Sequence, residues 1–182
     1  MNYIVLDLEA TCWEGFQQRN MSEIVEIGAV KVNHFGEEIG KFHSFVKPVF
    51  HPHLSSYFLR LTGIPRLSIL NAKTFDIVFP EFMSWVLEEG EEYYLCAWGS
   101  GDLRFLQENT KAHRLSYQLA DRYIDVKLYY NTQIKWNRRK PFGLLKALHH
   151  EGFEFEGSQH RAFDDAYNLC KLFVKYIDDW QR

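Results

Sequence analysis

The residues of this chain whose types and spacing could do chemistry are Asp7, Glu9, Asp102, His160 and Asp165. Asp7 and Glu9 close a short apolar run of strand-forming residues, 3–9. Side chains alternate along a strand, so both carboxylates point to one face. Two carboxylates side by side repel each other and are costly to desolvate. A divalent cation between them removes both penalties, and hard oxygen ligands suit Mg²⁺ or Mn²⁺ better than zinc. The pair alone is also compatible with two solvated acids at a strand end.

Asp102 follows a strand at 93–98 and the turn Gly99-Ser100-Gly101, and it opens a helix. Asp in such a place is an ordinary N-cap. It also lies beyond the carboxyl end of a strand, where open α/β sheets place their sites. The segment His160-Arg161-Ala162-Phe163-Asp164-Asp165 leads into the last helix. Positions five apart do not share a helix face. If Asp165 points into a site from the first turn, His160 must reach it from the preceding loop, where an imidazole is a natural base. Asp164 faces away from Asp165 and reads as a helix-start acid that complements the dipole.

Elements of three kinds must position these groups. Residues 3–9, 24–33 and 39–47 read as strands joined by short connections, an antiparallel meander. Helical spacing follows at 55–61 and at 74–89, where Phe75, Val78, Phe79, Phe82, Val86 and Leu87 recur on one face and Pro80 either kinks or restarts the helix. A strand at 93–98, a helix from Asp102 to about His113, a strand at 122–126, helical stretches near 127–134 and 142–149, and a helix from Ala162 to Asp179 complete the chain. The order β-β-β-α-β-α-β-α-α predicts an α/β fold, a mixed sheet with helices on its faces.

The composition permits this. The chain has 182 residues, 46% hydrophobic and 25% charged, enough for one domain spanning 1–182 with a sizeable core and too apolar for a disordered chain. The net charge of −3 argues mildly against non-specific nucleic-acid binding, although carboxylates that hold cations invert their local sign. Cys12, Cys96 and Cys170 form no disulfide framework and fit a reduced, cytoplasmic setting. The N-terminal residues do not read as a secretory leader, and no apolar run approaches a membrane span. His51, His53, His149 and His150 lack carboxylate partners at ligand spacing and read as surface or packing residues.

Three segments together resemble a family. Leu6-Asp7-Leu8-Glu9-Ala10-Thr11, Trp98-Gly99-Ser100-Gly101-Asp102 and His160-x-x-x-x-Asp165 are similar, in order and spacing, to the three motifs of the DEDDh (DnaQ-like) 3′–5′ exonucleases. Glu23-Ile-Val-Glu26-Ile-Gly-Ala resembles that family's second strand, and Leu61-Thr62-Gly63-Ile64 its loop beside the terminal nucleotide. Within the family the chain resembles the branch of histone-mRNA and RNA-interference exonucleases and KapD-like proteins.

The resemblance implies a ribonuclease H-like fold with a five-stranded mixed sheet flanked by helices, and two Mg²⁺ or Mn²⁺ ions at its carboxyl end. It implies that Asp7 bridges both ions and that Glu9 and Asp165 hold the one that activates the attacking water. Asp102 would support the second ion through water, and His160 would take the proton from the nucleophile. The implied partner is a single-stranded nucleic-acid 3′ end, RNA ahead of DNA, and the product a 5′-mononucleotide. Glu9 and backbone near Ala10 and Thr11 would meet the terminal ribose, and Leu61 and Ile64 would flank its base. Trp13 or Phe16 could stack on a base or pack in the core. The basic run Lys135-Trp136-Asn137-Arg138-Arg139-Lys140 reads as a phosphate track or a solvated loop. Two other readings remain at this point: a DNA-proofreading subunit, and a regulatory nucleic-acid- or protein-binding module whose catalysis is incidental.

Overall fold

The strand that carries Asp7 and Glu9 is the central one of five. In the computed structural model, which describes residues 1–15, 21–88, 90, 92–135 and 140–180, β1 spans Asn2–Ala10. It is followed by β2 (Ile24–Asn33) and β3 (Glu38–Phe45), and later by β4 (Tyr93–Ala97) and β5 (Tyr123–Asp125). The sheet order is β3-β2-β1-β4-β5. β1 and β2 pair antiparallel, as do β2 and β3, whereas β1–β4 and β4–β5 are parallel. The sheet is therefore mixed, and the carboxyl ends of β1, β4 and β5 emerge along the same side.

Both faces of the sheet are covered, which explains why β1 and β2 read as nearly continuous apolar runs. Ile4, Leu6 and Leu8 pack on one face with α3 (Phe75–Leu87) through Phe79 and Phe82, and with α4 (Gly101–Ala112) through Leu106. Tyr3 and Val5 pack on the other with α7 (Ala162–Lys175) through Leu169 and Phe173. Burying each such side chain contributes roughly 1.5–3 kcal/mol. By strand alternation Asp7 and Glu9 continue the face of Tyr3 and Val5, so they lie on the side that α7 covers.

The remaining helices are α1 (Ser56–Thr62), α2 (Arg66–Leu70), α5 (Val126–Tyr129) and α6 (Leu144–His150). Helix α2 is not foreshadowed by any residue periodicity; it has no side-chain cap and only Ile69 buried. Pro80 neither restarts nor ends α3. It sits inside one helix held by the buried Phe75, Val78, Phe79, Phe82, Met83 and Val86. The missing proline N–H leaves the Asp76 carbonyl without its helical donor, on an exposed residue that water can reach.

The stretch expected as helix at 127–134 divides into α5 and a π-helical segment, 130–134. β5 is shorter than 122–126 because the Asp125 carboxylate accepts the Leu128 N–H (2.8 Å) and starts α5. The last helix stops at Lys175 rather than Asp179. Trp180 folds back there, stacking on Phe173 (centroids 5.1 Å apart, planes at 5°) and donating its Nε1–H to the Phe173 carbonyl. Cys12, Cys96 and Cys170 are free thiols. Among the described residues no helix is long and apolar enough to cross a membrane.

Candidate active site

Strand β1 delivers Asp7 and Glu9 to the same place by alternation, opposite Gly28 and Glu26 of β2 respectively. Helix α7 delivers Asp165 in its first turn. One carboxylate oxygen each from Asp7, Glu9 and Asp165 lies within 4.8 Å of the others. Asp102 stands beside this trio. It occupies the first turn of α4, whose N-cap is Ser100, and its Oδ1 accepts the backbone N–H of Leu8, the residue between the two β1 acids, at 3.2 Å. The Tyr123 hydroxyl donates to the Gly99 carbonyl (2.5 Å) and steadies the turn before Asp102. Gly99 has φ +112°, backbone that a side chain rarely tolerates.

The electrostatics follow from burying four acids together. Burial pushes Asp7 well above the ordinary carboxylate range, and Asp102, Asp165 and Glu9 push it further. Burial, then Asp165 and Glu26, raise Glu9 to about 8. Burial raises Asp102 to about 7, against the Leu8 N–H, which favours its charged form. Burial raises Asp165 to about 6, opposed by the His160 N–H. Burial thus disfavours the charged form of each group, and a bound cation would relieve that penalty. The donor set is all carboxylate oxygen, which fits a hard divalent ion. Asp7, Glu9 and Asp165 could therefore hold a divalent cation, with Asp102 adjacent.

His160 reaches the cluster from the loop before α7. Its backbone takes φ +62°, uncommon for a residue with a side chain, and its N–H donates to Asp165 Oδ2 (2.7 Å). The residue is exposed. Asp164 turns the other way, as expected, and accepts the Ser158 N–H (2.8 Å). The two adjacent acids thus brace the two ends of one loop.

The residues expected around a terminal nucleotide divide by exposure. Thr11 and Ile64 are 1% and 2% exposed, and Ala10 is buried. Ile64 packs with Val25, Leu54, Phe58 and Ile69, so its side chain belongs to a small core. Trp13 and Leu61 keep partly exposed side chains. Thr11 is tied to β2 by its N–H to the Glu23 carbonyl and by its hydroxyl accepting the Glu23 N–H (3.0 Å). The Glu23 carboxylate takes the N–H groups of Val49, Phe50 and His51, which joins this segment to the chain entering α1. Phe16 and the central residues of the basic run, 136–139, lie outside the described residues. Sequence reading singled out neither Gly28 nor Arg161. The available signal was a glycine and a glutamate two apart in the apolar first part of a strand, because a buried acid needs a partner.

A mixed sheet of this order, with its acids gathered where parallel strands end, defines a ribonuclease H-like nuclease of the cation-dependent class. Residues 4–173 match the family described as Exonuclease, and the chain belongs to that family, in its DEDDh group. It is similar to mouse "ERI1 exoribonuclease 2", 32% identical over 97% of this chain and 28% of that protein. It is also similar to human "3'-5' exoribonuclease 1", 30% identical over 96% of this chain and 52% of that protein. The chain thus spans about half or less of these curated relatives. The nuclease domain of 3'hExo, described as a DEDDh family member bound to rAMP, superposes with a TM-score of 0.89 at 28% identity, covering 98% of this chain and 92% of that one.

Proposed function

We propose that this chain is a 3′–5′ exonuclease that removes 5′-mononucleotides from single-stranded RNA, using two Mg²⁺ or Mn²⁺ ions. The observation that carries the reading is the convergence of Asp7, Glu9 and Asp165 within 4.8 Å, with Asp102 held against the backbone between the first two. The exoribonuclease names of the relatives and the rAMP held by the 3'hExo domain support RNA as the substrate class.

Asp7, central among the acids, would be shared by both ions, with Glu9 and Asp165 completing one site and Asp102 supporting the other. When bound, a cation pair lowers the pKa of an attacking water and stabilises charge on the incoming and departing oxygens. The chain's own groups do the rest. The His160 imidazole would accept the proton of the water as its oxygen bonds to phosphorus and the bond to the 3′ oxygen of the preceding nucleotide breaks, leaving a new 3′-hydroxyl, and the neutral imidazole is the competent form. Glu9 and the backbone at Ala10 and Thr11 would receive the terminal ribose, fixed there by the Thr11–Glu23 bonds. Trp13 and Leu61 offer partly exposed apolar surface to the base, whereas Ile64 would support that surface from beneath.

The test is degradation of 5′-labelled RNA and of DNA of equal sequence, with Mg²⁺, Mn²⁺ or EDTA. A ladder that shortens from the 3′ end, requires the cation and runs faster on RNA is the expected result. Undiminished cleavage in EDTA, or internal cuts from the outset, would refute the proposal.

A further inference from the structure

Strand β2 faces the acidic cluster with two residues that are not ligands. Gly28 lies opposite Asp7, and Glu26 lies opposite Glu9. Being two apart, they share the face of β2 that α7 covers. A Cβ placed on Gly28 would fall 2.2 Å from the Phe163 nitrogen and 2.3 Å from the Ala162 carbonyl carbon, so the backbone of α7's first turn rests directly on the strand.

Glu26 is fully buried, and its carboxylate has four donor atoms around it. Arg161 reaches it through Nη2 (2.9 Å) and Nε (3.3 Å), the Ala162 N–H donates at 3.1 Å, and His43 Nε2 stands at 2.7 Å. The Ala162 N–H is one of the first-turn donors a helix leaves without an internal partner. Arg161, at the N-cap, makes no side-chain cap hydrogen bond. The cap of α7 is therefore supplied from β2, 136 residues away. Downstream, the Asp165 N–H donates to the Arg161 carbonyl (2.9 Å), and the His160 N–H to Asp165 Oδ2. An unbroken series of bonds runs from Glu26 to both groups that α7 and its loop bring to the site.

A carboxylate here is unfavourable for the cluster, since like charges directly opposite on a sheet repel. Glu26 is among the groups that raise Glu9, and the Arg161 guanidinium is the neighbour that offsets this. Replacing Glu26 and Arg161 together by apolar residues would cost local stability little, because ion pairs taken out of water seldom add net stability. The pair is better accounted for by geometry.

We propose that Glu26, through Arg161 and the Ala162 N–H, is the positioning residue that sets Asp165 and His160 against the Asp7–Glu9 pair. The proposal rests on the exonuclease reading of the site. Glu26 touches no substrate and acts only through the two groups it places. Removing a residue that orients the groups around a metal site typically changes activity by about 10–100-fold.

The experiment is a mutant cycle on the full chain with 5′-labelled RNA and saturating Mn²⁺. Glu26→Gln and Arg161→Lys are made in the parent and in a His160→Ala background, with folding checked by circular dichroism. Arg161→Lys keeps the charges and loses the guanidinium fork, so it carries the same test if Glu26→Gln does not fold. In the parent, kcat is expected to fall about 10–100-fold with KM within about twofold. In the His160→Ala background the same change should lower the residual rate less, because only the part that acts through Asp165 remains and groups acting as a unit are not additive. An equal fall in both backgrounds, or a kcat within about twofold of the parent, overturns the proposal. Absence of cation-dependent shortening by the parent protein would instead overturn the exonuclease reading itself.

Discussion

Raising the pH should destabilise this chain in EDTA and leave it stable with a divalent ion. Glu9 has an ordinary value of 4.5 and is raised to about 8 in the fold, while Asp102 and Asp165 are raised to about 7 and about 6. The folded, cation-free chain therefore holds protons that the unfolded chain releases. A raised carboxyl contributes stability that is complete below its ordinary value and is lost as pH climbs through its folded value. For Glu9 that window is about pH 4.5 to 8, and at about 1.4 kcal/mol per pH unit the loss approaches about 5 kcal/mol. In a chain of this size that corresponds to a melting-temperature fall of about 10–20 °C. Cation binding displaces the same protons, so the stabilisation by Mn²⁺ should widen with pH. The assay is a series of thermal melts from about pH 5 to about pH 9, in EDTA and in excess Mn²⁺. A Glu9→Gln variant serves as reference for the pH response of every other group. A melting temperature in EDTA that stays level or rises across this range relative to Glu9→Gln would refute the reasoning, as would a Mn²⁺ effect that shrinks with pH.

Neighbouring positions should give opposite results elsewhere. Asp165→Asn should lower kcat by about 100-fold or more, whereas Asp164→Asn, which only loosens the Ser158 contact, should stay within a few-fold of the parent in the same RNA assay. Asp102→Asn keeps an oxygen for the Leu8 N–H, so the variant should fold with a near-parental melting temperature and lose cation-dependent cleavage. Gly28→Ala drives a methyl into the backbone of Ala162 and Phe163. It should cost about 1–3 kcal/mol or more in urea unfolding, and it should lower kcat by displacing Asp165. Ile64→Val should change stability by about 0.5–1.5 kcal/mol, because its side chain is core, while Trp13→Ala should act mainly on KM for RNA.

Much of the fold was legible because its signals are local. The meander of β1, β2 and β3, the strand before Gly99 and the long amphipathic α7 all follow from side-chain periodicity and turn residues. Where the reading missed, the deciding forces were non-local. Helix α2 is too short to show a period. The last helix stops at Lys175 because Trp180 finds a stacking partner in Phe173. Pro80 is accommodated because the surrounding side chains of α3 are anchored in the core on both sides of it. The burial of Ile64 with Val25, Leu54 and Phe58 likewise depends on contacts that spacing does not encode.

The sequence by itself determined which functional groups are present and, through the two-residue repeat of a strand, that Asp7 and Glu9 share a face. It also placed Asp102 after a strand and Asp165 at a helix start, each compatible with an ordinary capping role. Only the tertiary structure decided that these acids meet. Asp102 arrives because β4 lies parallel to β1, and Asp165 rather than Asp164 arrives because α7 seats on the bare backbone of Gly28 and is held by Glu26. The physical reason is separation along the chain. Residues 94 and 136 apart are joined by sheet pairing, close packing and a half-buried ion pair, and none of these leaves a periodic trace in the sequence.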